Sequence, residues 1–306
     1  MTSKVSPAVD AGVVYAVLAY SAWGLFPLYF RQVADVPAIE VVMHRTVWSL
    51  VFVLGVLLVL QRWAWLGQVL RQPKVLGTFA LSALLLSVNW VMYVWATQNG
   101  HVIDASLGYF ILPLVNVALG YFFLKERPRR GQWLAVAVAT AGVLWLTLQT
   151  GRPPWIALVI AASFGLYGLL RKVAPLGALE GLTLETLMLA PFAVAMLAFW
   201  HAGGNGALAH VAADGGARTL GWLLLAGPLT AVPLLLFAAG ARRIPLTTLG
   251  ILQYLSPTLQ LALGVWLFGE PFQTSRQVGF ALIWAALLVY SVESVASSRR
   301  VSGPAA

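Results

Sequence analysis

LPLVNVALGYFFLKE, residues 112–126, recurs as SPTLQLALGVWLFGE at 256–270. Both stretches read proline, six residues, glycine, five residues, glutamate, with Ala-Leu-Gly in register at an offset of 144. Self-similarity at a long offset marks an internal duplication. The match extends upstream. WATQNGHVIDASLG (95–108) aligns without gaps to FAAGARRIPLTTLG (237–250), AIEVVMHRTVW (38–48) to ALEGLTLETLM (178–188), and WGLFPLY (23–29) to FGLYGLL (164–170). The chain therefore divides into two copies, 1–150 and 151–306.

Composition decides the solvent in which each copy folds. Of 306 residues, 60% are hydrophobic and 9% charged, where a soluble domain carries roughly 25% charged. Apolar runs near the length that crosses a bilayer fall at 12–32, 38–60, 75–98, 104–124, 132–149, 155–171, 179–200, 219–241, 246–268 and 275–294. Backbone polar groups in lipid must be satisfied within the segment, so runs of this length are helices rather than barrel strands. The expectation is an all-α polytopic membrane protein with ten transmembrane helices. The first run contains Trp23 and Pro27 and belongs to the repeat, so it is read as a retained helix rather than a leader. The longest connection, 201–219, is glycine-rich and reads as a tether or a lid.

Five spans is an odd number, so the second copy must enter the membrane upside down relative to the first. Inverted five-helix repeats are a recurrent architecture of secondary transporters, with the substrate site near the midplane between them. The basic residues give the orientation. With the N-terminus inside, fourteen of the nineteen Lys and Arg fall on cytoplasmic segments, four on the other face, and Arg45 within the second span. Both termini are expected in the cytoplasm. The net charge of +9 then reads as a topology signal and an attraction to anionic lipid headgroups, not as a nucleic-acid surface. The chain has no cysteine, which excludes disulfides, thiol catalysis and thiolate-held metal.

Against this background the charged residues inside spans stand out. An intramembrane arginine costs at least ~2.5–3.5 kcal/mol and faces a cavity or a partner. The repeat sets Arg45 opposite Glu185 and Glu40 opposite Glu180. One reading is a structural ion pair of Arg45 with Glu185 or Glu40. The other has Arg45 binding an anionic substrate group while Glu185 or His44 handles a proton. His44 follows Glu40 by four residues, hence on the same helical face, and imidazole titrates near neutral pH.

Polar stripes supply further candidates. Tyr109, Pro113, Asn116 and Gly120 are spaced 4, 3 and 4 apart, and at the offset of 144 they become Gln253, Pro257, Gln260 and Gly264. One helical face is thus polar in both copies, which suits a cavity lining, although polar groups also mediate helix packing. Asn89 and Tyr93 share a face of the third span, with Trp90 beside them, and together could cradle an amphipathic solute.

These residues carry a resemblance. NWVMYVWATQNGHVIDASLGYFILPL (89–114), with MHR at 43–45, LTLETL at 182–187 and LQYLSPT at 252–258, resembles the RarD family of EamA-type carriers in the drug/metabolite transporter superfamily. The likeness spans about residues 12–292. It implies a bacterial inner-membrane exporter of small molecules, built from two inverted halves. Leu112 stands where the family pattern leads one to expect asparagine, and Asn99 and His101 match the family block but read as loop-ordering groups.

Other function classes fit poorly. No serine has a glycine two residues before it, there is no HExxH, and no Gly-Lys pair exists for a phosphate-cradling loop. The expectation is a secondary carrier with no cofactor or metal, its partners a small-molecule substrate and the lipid bilayer, with the proton a candidate coupling ion that the sequence alone does not fix. An uncoupled facilitator or channel is the alternative, and a membrane enzyme ranks below both.

Overall fold

In the computed structural model the described residues are 7–98, 101–150, 154–204, 206, 216–269 and 274–301, and all their regular structure is helical. Two helices, α1 (Pro7–Gly24) and α2 (Phe26–Gln32), run end to end through the first expected span. The break at Leu25 has a local cause: Pro27 has no N–H for the Trp23 carbonyl, and its ring crowds that oxygen. Next comes α3 (Ala38–Leu60), which starts after Pro37 and stops at Gln61 in the left-handed region at φ 51°. The short α4 (Ala64–Val69) was not signalled by the sequence. Then follow α5 (Pro73–Gln98), α6 (Val102–Phe123) and α7 (Arg130–Thr150).

The second half of the chain continues with α8 (Trp155–Val173), α9 (Ala178–Ala202) and α10 (Gly216–Ala241). Its fourth expected span, 246–268, is not one helix. It consists of α11 (Leu246–Leu252), α12 (Leu255–Ala262) and a π-helical turn at Leu263–Leu267. Six residues lie between Gly250 and Pro257 where four lie between Gly108 and Pro113. The two additional residues fall where the chain turns at Gln253 and Tyr254, whereas α6 runs unbroken through Pro113. The last helix is α13 (Thr274–Val301).

Seven segments among the described residues are long and apolar enough to cross a membrane, joined by shorter apolar helices at Leu107–Phe123 and Gln277–Glu293. The chain is an all-helical polytopic membrane protein. Most of the connection 201–219, together with Asn99 and Glu270, lies outside the described residues.

Packing brings the halves together. Helix α3 packs on α9 and α10, α5 on α8 and α9, α1 on α10 and α12, α6 on α8 and α11, and α7 on α13. The approach is close at Gly250, where an added Cβ would sit 2.8 Å from the Pro113 carbonyl oxygen, and at Gly24, where it would sit 2.7 Å from Leu259. Only glycine fits at either point. Burial is inverted relative to a soluble protein. Trp266, Val59 and Leu148 are exposed while Glu40, Arg45, Arg171 and Glu185 are buried, as expected when lipid is the solvent.

Candidate functional site

A cavity of about 140 Å³ lies where α1, α2, α3, α5 and α6 face α8, α10 and α12. Two prolines shape it, since a proline removes the hydrogen bond to the carbonyl four residues earlier. Pro27 and Pro113 therefore leave the carbonyls of Trp23 and Tyr109 without that bond, whereas Pro257 sits in the first turn of α12 and the Gln253 carbonyl accepts from the Ser256 N–H at 3.1 Å; Trp23, Tyr109 and Gln253 are all on the cavity wall. The Trp23 oxygen is taken up by the second half, where Gln260 Nε2 donates to it at 3.2 Å. One turn earlier, Ser256 Oγ donates to the Tyr20 carbonyl at 2.6 Å.

Arg45 is the one charged residue on the described wall. It lies seven residues into α3, about 10 Å from the helix start at ~1.5 Å per residue. Its Nε donates to Thr230 Oγ1 of α10 at 2.9 Å. Three rings surround the guanidinium, Trp90 at 5.0 Å, Phe26 at 5.5 Å and Phe30 at 5.8 Å, within the range of cation–π attraction. Neither expected partner is present: among the described residues no carboxylate is ion-paired with Arg45.

Of the other sequence candidates, Asn89, Trp90, Tyr93, Tyr109, Gln253 and Gln260 share this wall. Asn89 Nδ2 donates to the Ile160 carbonyl at 2.9 Å and to Ser163 Oγ at 3.2 Å, which pins α5 to α8. Tyr93 and Tyr109 meet edge to face at 5.8 Å. Asn116 differs from the expectation. It is buried behind the wall and donates to Gln253 Oε1 at 3.3 Å, so it positions a lining residue without lining the cavity itself. The reason is rotation: the face of α6 that carries Asn116 packs on α11. Leu112, in place of the expected asparagine, is fully buried in the main apolar core.

Glu185 lies apart from Arg45. The cavity floor is a chain of rings, Trp23, Phe164, Tyr167 and Phe237, with neighbouring centroids 5.3–6.0 Å apart. Below it, the Glu185 carboxylate accepts from Ser82 Oγ at 2.5 Å and from Tyr167 OH at 3.4 Å, and pairs with Arg171 at 3.7 Å. Arg171 also donates to the Gly177 and Ala178 carbonyls and lies over the Phe79 ring. This arginine is one of the fourteen basic residues that the sequence assigns to cytoplasmic segments, yet it is 1% exposed. Its place at the end of a span hid its depth.

Two further groups hold the ends. Glu126 accepts from the Leu246 and Thr247 backbone N–H groups at 2.7 and 3.0 Å and from Thr247 Oγ1 at 2.9 Å, capping α11, and Lys172 lies 3.9 Å away. At the opposite end, His44 Nε2 is 3.9 Å from Glu40 while its Nδ1 accepts from Trp48 Nε1 at 3.3 Å. His101 stacks on Trp95 at 5.5 Å, consistent with a loop-ordering role. Sequence reasoning missed Thr230, Phe26, Phe30 and Glu126. The repeated glutamate of the opening motif was the available signal for Glu126, and the others carry none.

The EamA-like transporter family pattern matches residues 10–148. An uncharacterized transporter of Pseudomonas aeruginosa is 46% identical over 96% of this chain and 97% of its own. Protein RarD of Escherichia coli is 41% identical over 95% and 97%, and a chloramphenicol-sensitive protein RarD of Pseudomonas aeruginosa is 32% identical over 94% and 96%. A crystal structure with 18% identity superposes with a TM-score of 0.67, covering 92% of this chain and 98% of that one, and shares the fold. With this similarity over nearly its whole length, the chain belongs to the EamA-like transporter family, among its RarD proteins, and is a multi-pass membrane transporter rather than an enzyme.

Proposed function

We propose that the protein is a secondary carrier of the bacterial inner membrane that exports a small polar or amphipathic molecule by alternating access between two inverted five-helix halves, 1–150 and 151–306. The observation that carries the reading is the cavity itself, walled by both halves and floored by rings from both. The helix contacts support the inversion. Exchanging α1 with α8, α3 with α9, α5 with α10, α6 with α11–α12 and α7 with α13 maps the packed pairs named above onto one another. Residues that the repeat relates also meet, as when Tyr254 OH donates to the carbonyl of Phe110 at 3.2 Å. The outward direction follows from the family resemblance.

On this reading ten segments cross the bilayer with both termini cytoplasmic, and the cavity faces outward above a closed inner end. Arg45 meets an anionic group, while Asn89, Trp90, Tyr93, Tyr109, Gln253 and Gln260 meet the remainder, with Asn116 behind Gln253. Glu185 carries the coupling proton, and the Glu40–His44 pair holds the outer end of α3 as a gate.

Labelling tests this without knowledge of the substrate, because the chain has no cysteine of its own. Ser256→Cys, at the cavity floor, should react with an impermeant maleimide from outside in intact cells and from the cytoplasmic face in inside-out vesicles. Access from one face alone overturns alternating access. Ion conductance in planar bilayers would make the protein a pore instead.

A further inference from the structure

The cavity wall is chemically lopsided. Its charge is a single cation, Arg45, and no aspartate or glutamate is among its described residues. A guanidinium carries five N–H donors in a planar fork. Of these, the described residues engage only Nε, through Thr230. Thr230 thereby fixes the plane of the fork and leaves the two Nη groups to whatever enters the cavity. Bidentate recognition of a carboxylate uses such a fork, and lysine cannot reproduce it. A cation in the membrane interior without a charged partner is costly, so an entering anion gains what the protein does not itself supply.

The surroundings specify the rest of the ligand. Trp90, Phe26 and Phe30 approach the guanidinium with their rings, and Tyr93 and Tyr109 add a second aromatic pair. The hydroxyls of these tyrosines make no hydrogen bond among the described residues, so polar donors are spare at that edge. A body that slides between these rings is flat and apolar with at most a polar substituent. The cavity volume of about 140 Å³ limits its size, since an engineered cavity of about 150 Å³ holds a benzene. A second anionic group would find no second cation, and an ammonium would find no carboxylate.

We propose that this site takes a monoanionic organic acid with one planar, ring-sized apolar body, held by its carboxylate on Arg45 and by its ring among Trp90, Phe26 and the Tyr93–Tyr109 pair. The proposal rests on the carrier reading only in treating this cavity as the transport site.

The purified protein in nanodiscs tests it through its thermal unfolding midpoint, because a ligand that binds only the folded state raises the midpoint. Benzoate and phenylacetate should raise it in a saturable way. Benzylamine, benzyl alcohol and the dianion phthalate should bind at least tenfold more weakly or leave it unchanged, and acetate should show that the ring is needed. Arg45→Met should lose the benzoate shift, and Arg45→Lys should recover part of it. Should Arg45→Met fail to fold, Trp90→Leu replaces it, with a tenfold or greater loss expected for benzoate. Equal shifts by benzylamine or benzyl alcohol, no shift with any aromatic acid, or wild-type benzoate affinity in both Arg45→Met and Trp90→Leu overturns the proposal. Each of these results leaves the two-faced labelling of Ser256→Cys untouched, so failure of the ligand class is separable from failure of the carrier reading.

Discussion

Arg45 and Glu185 occupy equivalent places, each seven residues into its helix, yet they do not meet. Each is hydrogen-bonded instead to a hydroxyl on a helix of the other half, Arg45 to Thr230 of α10 and Glu185 to Ser82 of α5. A wall of aromatic rings separates them. The two charges are thus independent in contact, and only a movement that repacks the halves can couple them.

That independence is measurable. Arg45→Met and Glu185→Gln should destabilise additively, within about 0.5 kcal/mol, because they share no partner. Arg171→Met with Glu185→Gln should not. Breaking one side of a buried pair costs about 3–5 kcal/mol, and removing both should return most of it. Unfolding midpoints of the single and double variants in detergent check both cycles. Strong coupling between Arg45 and Glu185 would contradict the geometry.

Gln260 offers a second cycle. Its amide takes up the Trp23 carbonyl that Pro27 releases, so Gln260→Leu leaves a buried acceptor unsatisfied at a cost of about 1–3 kcal/mol. Restoring the backbone bond with Pro27→Ala should make Gln260 dispensable for stability. The double variant is expected to unfold near the wild-type midpoint. If Gln260→Leu is equally damaging with and without Pro27, the amide acts elsewhere.

The sequence disclosed the all-helical membrane fold because lipid imposes long apolar runs. It also placed Tyr109 and Gln253 in equivalent positions, since helical spacing survives duplication. Contacts between halves were not legible in the same way. Thr230 is one threonine among several, and nothing in its neighbourhood marks it as the partner of an arginine far away in the chain. Arg171 sits beside Lys172 at a span end, where basic residues ordinarily report topology, and only packing against Phe79 and Glu185 reveals that it turns inward. The break at Gln253 needed a count of residues between motifs that gap-free matching passed over.

Topology is open to a direct check. With the fourteen-to-four division of basic residues, tags at both ends should be accessible only from the cytoplasm. Ala202→Cys, at the exposed end of α9, should label in intact cells. Labelling only after lysis would invert the assignment.

On the carrier reading, Glu126 closes the inner end. Three hydrogen bonds tie it to the start of α11, two of them to N–H groups that no helical carbonyl can reach. Glu126→Ala should free that end, and a cysteine at Leu119, buried in the same apolar core as Leu246, should become reactive from the cytoplasmic face. Glu126→Gln, which keeps an acceptor but loses the charge, should fall between. Unchanged reactivity of Leu119→Cys would remove Glu126 from the closure.

The same reporter tests Glu185 as the proton site. Arg171 on α8, Ser82 on α5 and Tyr167 on α8 surround its carboxylate. Ionised, Glu185 attracts Arg171, which in turn grips the Gly177 and Ala178 carbonyls at the α8–α9 turn. Protonation removes the charge that holds Arg171, so the inner end loosens as pH falls and tightens as pH rises. Leu119→Cys should then label faster from the cytoplasmic face in acid, after correction for maleimide chemistry against a cysteine at exposed Gln61. Glu185→Gln fixes the neutral form and should give fast, pH-independent labelling. Arg171→Met should do the same, because the grip is lost whichever partner goes. A pH response that persists unchanged in Glu185→Gln would assign the proton to another group and leave the Glu185–Arg171 pair as a structural tie.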